Sequence, residues 1–360
     1  MRITERDIDA MALGAFVLGS GGAGDPYLTT EMLRNQLSGG RHLDIVALDE
    51  LPPDAEVAPL AMVGSPHALS EKLLSTSDIR TLFFAEGLRD RAPDAVMPYE
   101  LAGLNALYPL AAAAELGVPV LDADFTGRGF SSLDTTMLGI SGAQLAEHII
   151  CDSRGRTVTV RTTGVISLES LIRPMAETMG WLVGISTASL RRDFLAAHSL
   201  AGTVSDCLAI GRMFGTFAES SIESVESTLE AAGGRLLGSG RVVERVSAPE
   251  RLGPRASVAI EPDQPGAALL RIEQRNEFHL VVRDGEILAS VPDIITVVDR
   301  DTWTPLSSEE VSTQRDVHVI ALPAHERWFE PTALAAVDPR AFGYGVDYVR
   351  IAGLPSRSTS

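Results

Sequence analysis

In "VPVLDADFTGRGF" an apolar run ends in two aspartates, Asp122 and Asp124, that flank a single alanine. The run suggests a strand covered on both faces, and residues i and i+2 of a strand share a face. Carboxylates held that close raise one pKa or bind a divalent metal, and either arrangement can activate water. Arg128, after Gly127, could neutralise the pair or bind substrate. The competing reading is an aspartate that caps the following turn.

Other segments carry chemistry-bearing residues at useful spacings. In "PYELAGLNALYP", Glu100 could serve as acid or base and Asn105 as a hydrogen-bond fork for an amide; helix capping is the alternative. In "LGSGGAGDP", Ser20, Gly21, Gly22, Gly24 and Asp25 form a glycine-rich loop before Pro26. Such a loop can aim N–H groups and a helix N-terminus at an anion or a carbonyl, or simply turn one helix into the next. "QRNEFHL" and "VPDII" supply Asn276, Glu277, His279 and Asp293, with Glu277 and His279 on one face if the segment is a strand. His67, in "GSPHALSE", is placed like a ligand between a strand and a helix, and joins Asp122 and Asp124 as a candidate for a divalent metal.

Several chemistries are excluded. The glycine loop is not followed by Lys-Ser/Thr and lies between two helices, so neither a P-loop nor a dinucleotide fingerprint fits, and no nucleotide is expected. Lys72 is the only lysine, in what reads as a helix surface, which leaves little room for a Schiff base. Cys151 and Cys207 form no CxxC pair, no HExxH pattern occurs, and there is no GxSxG elbow. The net charge of −18 argues against nucleic acid and against anionic membranes. Two cysteines in 360 residues, no signal-like start and no long apolar run point to the cytoplasm.

These residues need elements to hold them. Thr4 and Asp7 make a capping box for a helix that runs to the glycine loop, and Asp25-Pro26 start a second helix. "LDIVALDEL" and "EVAPLAMVGSP" read as strands, "LNALYPLAAAAELG" as a helix, and "AQLAEHIICDSRGRTVTVRT" as a helical start followed by a hairpin at Ser153–Gly155. Helical patterns run from 167 to 232, and strands dominate from 238 to 350, with Asp284-Gly285 a hairpin turn. The expected class is α/β: an N-terminal α/β domain with a largely parallel sheet, residues 1–165, and a β-rich α+β domain, residues 166–360.

The ordered set "LGSGGAGDP", "VGSPHALSEK", "PYELAGLNALYPL", "VPVLDADFTGRGF", "IEQRNEFHLVV", "ILASVPDIITVVD" and "DPRAFGYGVDY" resembles the S-methyl thiohydantoin desulfurase family, often encoded beside hydantoinase and oxoprolinase subunits. The resemblance implies an enzyme acting on a five-membered cyclic amide, with hydrolytic loss of methanethiol from an S-methyl thiohydantoin to leave a hydantoin. Its motifs hold Asp122, Asp124, Glu100 and Arg128, whose residue types make them the catalytic candidates. Ser20, Gly21, Gly22, Gly24, Asp25, Asn105, Asn276 and Glu277 become substrate-binding candidates. The alternative is a non-catalytic subunit that presents such a ring to a hydantoinase or oxoprolinase; a homo-oligomer is a further expectation. The chain departs from the family pattern at Ala23, at Leu101-Ala102 and at "FSSLD" after Gly129.

Overall fold

A computed structural model describes residues 1–65, 68, 92–144, 147–187, 189–248 and 255–351. His67 and Lys72 lie outside the described residues. The chain gathers into two compact units: residues 1–16 with 23–212, and residues 17–22 with 213–360. Residues 166–212, expected in the second domain, therefore pack with the first unit, and six residues of the glycine-rich loop region pack with the second.

In the first unit a 3-10 turn capped by Thr4 leads into α1 (Ile8–Leu18). The Thr4 N–H and hydroxyl both donate to Asp7 Oδ2, at 2.9 Å each, so the capping box reads correctly from sequence. Then come α2 (Tyr27–Leu37), β2 (Leu43–Val46), β3 (Glu56–Gly64), β4 (Ala95–Pro98), α3 (Gly103–Leu116), β5 (Val120–Leu121) and β6 (Ala123–Asp124). A short β1 (Arg2–Ile3) lies on β2. The alanine-rich α3 buries most of its length and stops at Gly117, whose φ of 71° is open to glycine at no steric cost.

Strands β7 (Glu147–Cys151) and β8 (Thr157–Arg161) form the expected hairpin, but residues 147 and 148 are strand where a helix was anticipated. α4 (Val165–Thr178) is followed by a strand, β9 (Leu182–Thr187), that the helical reading of 167–232 missed. All six β9 residues are buried, Ser186 and Thr187 included, so no polar–apolar alternation marks the strand. β10 (Leu190–Arg191), α5 (Arg192–His198), β11 (Leu200–Ala201) and α6 (Thr203–Phe214) complete the unit.

The main sheet runs β1-β2-β5-β4-β3-β9-β7-β8, with β10 beside β3. The β2, β5, β4 and β3 pairings are parallel, and antiparallel strands flank them on both sides. The core on one face packs Met97, Leu121, Ile150 and Ile185 with Leu168 and Ile172 of α4. Helices α1 and α6 nearly touch backbones: a Cβ on Gly14 would stand 1.9 Å from Cys207 O, and one on Gly211 would stand 1.7 Å from Ala10 O. Cys207 is buried in that contact, and burial pushes its thiol pKa up.

The second unit opens with α7 (Ile222–Ala231) and then a seven-stranded antiparallel sheet. Its strands are β12 (Arg235–Ala248), β13 (Arg255–Pro262), β14 (Leu270–Arg275), β15 (Glu277–Arg283), β16 (Glu286–Ser290), β17 (Ile294–Asp299) and β18 (Asp316–Leu322), in the order β16-β15-β14-β13-β12-β18-β17. Asp284 and Gly285 both have positive φ, 48° and 81°, as a two-residue hairpin turn requires. Register shifts in the β12–β13, β12–β18, β14–β15 and β15–β16 pairings mark bulges, which bend a sheet. The result is a half-barrel in which β15 and β17, remote in sheet order, come into contact. A short helix, α8 (Pro331–Val337), precedes the C-terminal segment.

Candidate functional site

The chemistry-bearing residues fall into two clusters, one in each unit. In the first unit they line the carboxyl ends of β4 and β5, the edge where parallel sheets place ligand sites. Chain leaving β4 gives Tyr99, Glu100 and Leu101; chain leaving β5 gives Asp122 to Phe130.

Asp122 and Asp124 do not form the expected pair. The strand ends at Leu121, β6 pairs with β11 outside the main sheet, and the pleat that would align residues i and i+2 is interrupted between them. Asp122 accepts the Ser205 N–H at 3.0 Å and the Ser205 hydroxyl, so it caps the first turn of α6. Asp124 is wholly buried and accepts the Leu101 N–H at 2.7 Å, the Thr126 hydroxyl at 3.0 Å and the Gly127 N–H at 2.9 Å. It ties the β4 exit to the β6 turn. Burial raises its pKa to about 6, and these donors pull back only part of the rise. Among the described residues no group of three His, Cys, Asp or Glu side chains comes together to hold a metal. The donors gathered on Asp122 and on Asp124 suit a carboxylate oxygen and not a cation.

Glu100 accepts the Phe130 N–H at 2.7 Å and the Asn105 amide at 3.0 Å. Asn105 is an amide fork, as its type suggested, but the amide it reads is the chain's own: it accepts Met62 N–H at 2.8 Å and donates to Met62 O at 3.2 Å. Arg128 is fully buried, donates Nε–H to Gly129 O at 3.2 Å, and lies 4.8 Å over the Phe130 ring. Leu101 and Ala102, which depart from the family pattern, are fully buried core residues.

Beside this edge is a buried chain of polar groups that sequence reading missed. The Tyr99 hydroxyl bonds the Thr187 hydroxyl, which lies 3.1 Å from His148 Nδ1. His148 and Thr187 are direct neighbours across β7 and β9. Burial lowers the His148 pKa to about 4, so the ring is neutral, and burial raises that of Tyr99. A histidine in the otherwise apolar "HIIC" was the available signal.

The second cluster sits on β15 and the seam with β17. Glu277 and His279 share a face as alternation required, with Glu277 Oε2 3.7 Å from His279 Nε2 and both residues buried. Phe342 packs on the imidazole at 4.3 Å between ring centroids, and Tyr344 meets it edge-on at 5.8 Å. Asn276 turns into β15 with φ of 59°. Buried Asp293 accepts the Ala324 N–H at 3.1 Å and the Tyr348 hydroxyl at 2.9 Å; burial and the Asp293 charge raise the Tyr348 pKa. The rings at 342, 344 and 348 were not singled out from sequence, although their segment was.

The glycine loop is divided. Ser20 N–H donates to Val17 O at 3.1 Å and Gly22 N–H to Gly19 O at 2.9 Å, so these two amides are spent inside the loop. Gly24, with φ of 77°, passes close to α3: a Cβ on Gly103 would lie 2.6 Å from Gly24 O. Asp25 is exposed and accepts the Tyr27 N–H at 2.9 Å, while Pro26 takes the cap position expected of Asp25.

Residues 6–162 match the N-terminal domain and residues 163–351 the C-terminal domain described as S-Me-THD-like. The chain belongs to the S-Me-THD-like family. This S-Me-THD-like protein carries "LGSGG", "IEQRNEFHLVV", "ILASVPDIITVVD" and "DPRAFGYGVDY" in the second unit, and "PYELAGLNALYPL" with "VPVLDADFTGRGF" in the first. The S-Me-THD-like chain is also similar to a crystal structure of a protein from Chromobacterium violaceum, with 21% identity, a TM-score of 0.77, and coverage of 98% of this chain and 100% of that one. At that identity the likeness speaks for the fold. No curated protein matches. Among the described residues no helix is long and apolar enough to cross a membrane.

Proposed function

We propose that this S-Me-THD-like protein hydrolyses an S-methyl thiohydantoin to a hydantoin and methanethiol, with Glu277 and His279 moving the proton. Water adds to the ring carbon that bears sulfur. The carbon–nitrogen double bond becomes single as the ring nitrogen takes one proton of the water; the carbon–sulfur bond then breaks, methanethiol departs with the other proton, and the oxygen remains as the new ring carbonyl. The observation that carries this reading is the Glu277–His279 pair, 3.7 Å apart and buried against aromatic rings. A carboxylate beside an imidazole can take a proton from water and return it to a leaving sulfur. Fixed N–H donors suit the charge that builds on the ring nitrogen. The cyclic amide is the ligand class this reading requires; a metal enters no step of it.

The test is release of methanethiol from an S-methyl thiohydantoin, followed with a thiol-reactive dye, with and without a chelator. Wild type should release thiol, and Glu277→Gln and His279→Gln should each lose at least about a hundredfold. No release by a folded wild type that still binds the ring would overturn the hydrolase reading and favour a ring-presenting subunit. Full activity in both variants would remove the pair from the chemistry.

A further inference from the structure

The glycine-rich segment supplies an unexpected part of the half-barrel. Ser20 is fully buried and holds φ of 49°, a left-handed conformation uncommon outside glycine. Its carbonyl accepts the Phe278 N–H of β15 at 2.8 Å. Its hydroxyl donates to Ile295 O of β17 at 2.7 Å and lies 3.3 Å from the Ile295 N–H. One residue thus bonds both strands across the seam, and Gly21 O extends the bridge by accepting the Ser308 N–H at 2.8 Å.

The bridge lands on the pair. Phe278 lies between Glu277 and His279, and the other side of the pair is pinned where Val291 N–H donates to His279 O at 2.8 Å. A Cβ on Gly22 would stand 2.6 Å from Glu277 Oε1 and 2.7 Å from its Cγ, so the Glu277 side chain fills the space that a side chain at 22 would need. A Cβ on Gly21 would stand 2.5 Å from the Phe278 ring. We infer that Ser20, Gly21 and Gly22 are positioning residues: they close the half-barrel over β15 and β17 and fix the Glu277 carboxylate against His279.

This inference rests on the proposed role of the pair, and its test separates the two. Gly22→Ala meets the flexible side chain of Glu277, so the variant should fold with that carboxylate displaced by about 1 Å. A shift of that size lowers kcat about ten- to a hundredfold with KM nearly unchanged. The ring nitrogen NMR shifts of His279 should move, and Gly22→Ala/Glu277→Asp, which restores room by removing one methylene, should bring them back toward wild type. Ser20→Ala should speed hydrogen exchange at the Ile295 and Phe278 amides at least about tenfold, with amides in β12 and β13 unaffected. Unmoved His279 shifts in Gly22→Ala, or uniform exchange across the sheet in Ser20→Ala, would overturn the inference. Both signatures are read on the resting protein, so they decide the positioning role even if no thiohydantoin is turned over.

Discussion

Replacing Asp124 with asparagine separates the cost of burying a charge from the turn that the side chain holds. The carboxylate is fully buried, with its pKa raised from 3.8 to about 6. Between those two values the folded chain keeps a proton that the unfolded chain has released. Stability is therefore greatest below the unfolded value, falls as pH rises through the window, and is level above the folded value. A pKa that rises by about 2 on folding corresponds to about 3 kcal/mol. Asparagine cannot ionise and keeps one oxygen for the Leu101, Thr126 and Gly127 donors. The stability of Asp124→Asn relative to wild type should thus climb by about 3 kcal/mol from roughly pH 3.5 to 7.5. Hydrogen exchange over residues 95–130, compared between the two proteins at each pH, reads this in the N-terminal unit alone. A difference that stays flat to within about 0.5 kcal/mol across that range would refute the argument that burial outweighs the hydrogen bonds.

Asp122→Ala removes the acceptor for both Ser205 groups in the first turn of α6; a cost of about 1–2 kcal/mol is expected, and an unchanged denaturation midpoint would contradict the capping role. Gly211→Ala drives a methyl to 1.7 Å from the Ala10 carbonyl oxygen, a backbone atom that cannot swing aside, and should cost about 2–3 kcal/mol. Gly164→Ala is its control, since its Cβ would lie 3.7 Å from the nearest neighbour, Ala143 O, on an extended backbone with φ of 171°; equal losses in the two would dismiss the helix contact as the cause.

Local chemistry was readable where it depended on near neighbours. The Thr4–Asp7 capping box, the Asp284-Gly285 turn and the shared face of Glu277 and His279 all follow from spacings of a few residues. The α/β class and the β-rich second half followed from periodicity. The aspartate pair failed because alternation was assumed past Leu121, where the strand ends. β9 was hidden because both its faces are covered. Asn105 shows a subtler limit: its type announced an amide partner, but sequence does not say whether that amide belongs to a ligand or to Met62. The partners of Ser20 lie 258 and 275 residues away, beyond the reach of any local pattern.

That last separation bears on how the chain is made. A ribosome adding about 5–20 residues per second needs roughly 13–50 s to travel from Ser20 to Phe278. Throughout that interval residues 17–22 have neither of their barrel strands to bind, although α1 before them and α2 after them are already synthesised. The second unit therefore matures only when the newest part of the chain returns to one of the oldest. Scission near residue 162, where the two family domains meet, would leave the half-barrel without its own clasp. The two family domains and the two compact units are not the same pieces of this polypeptide.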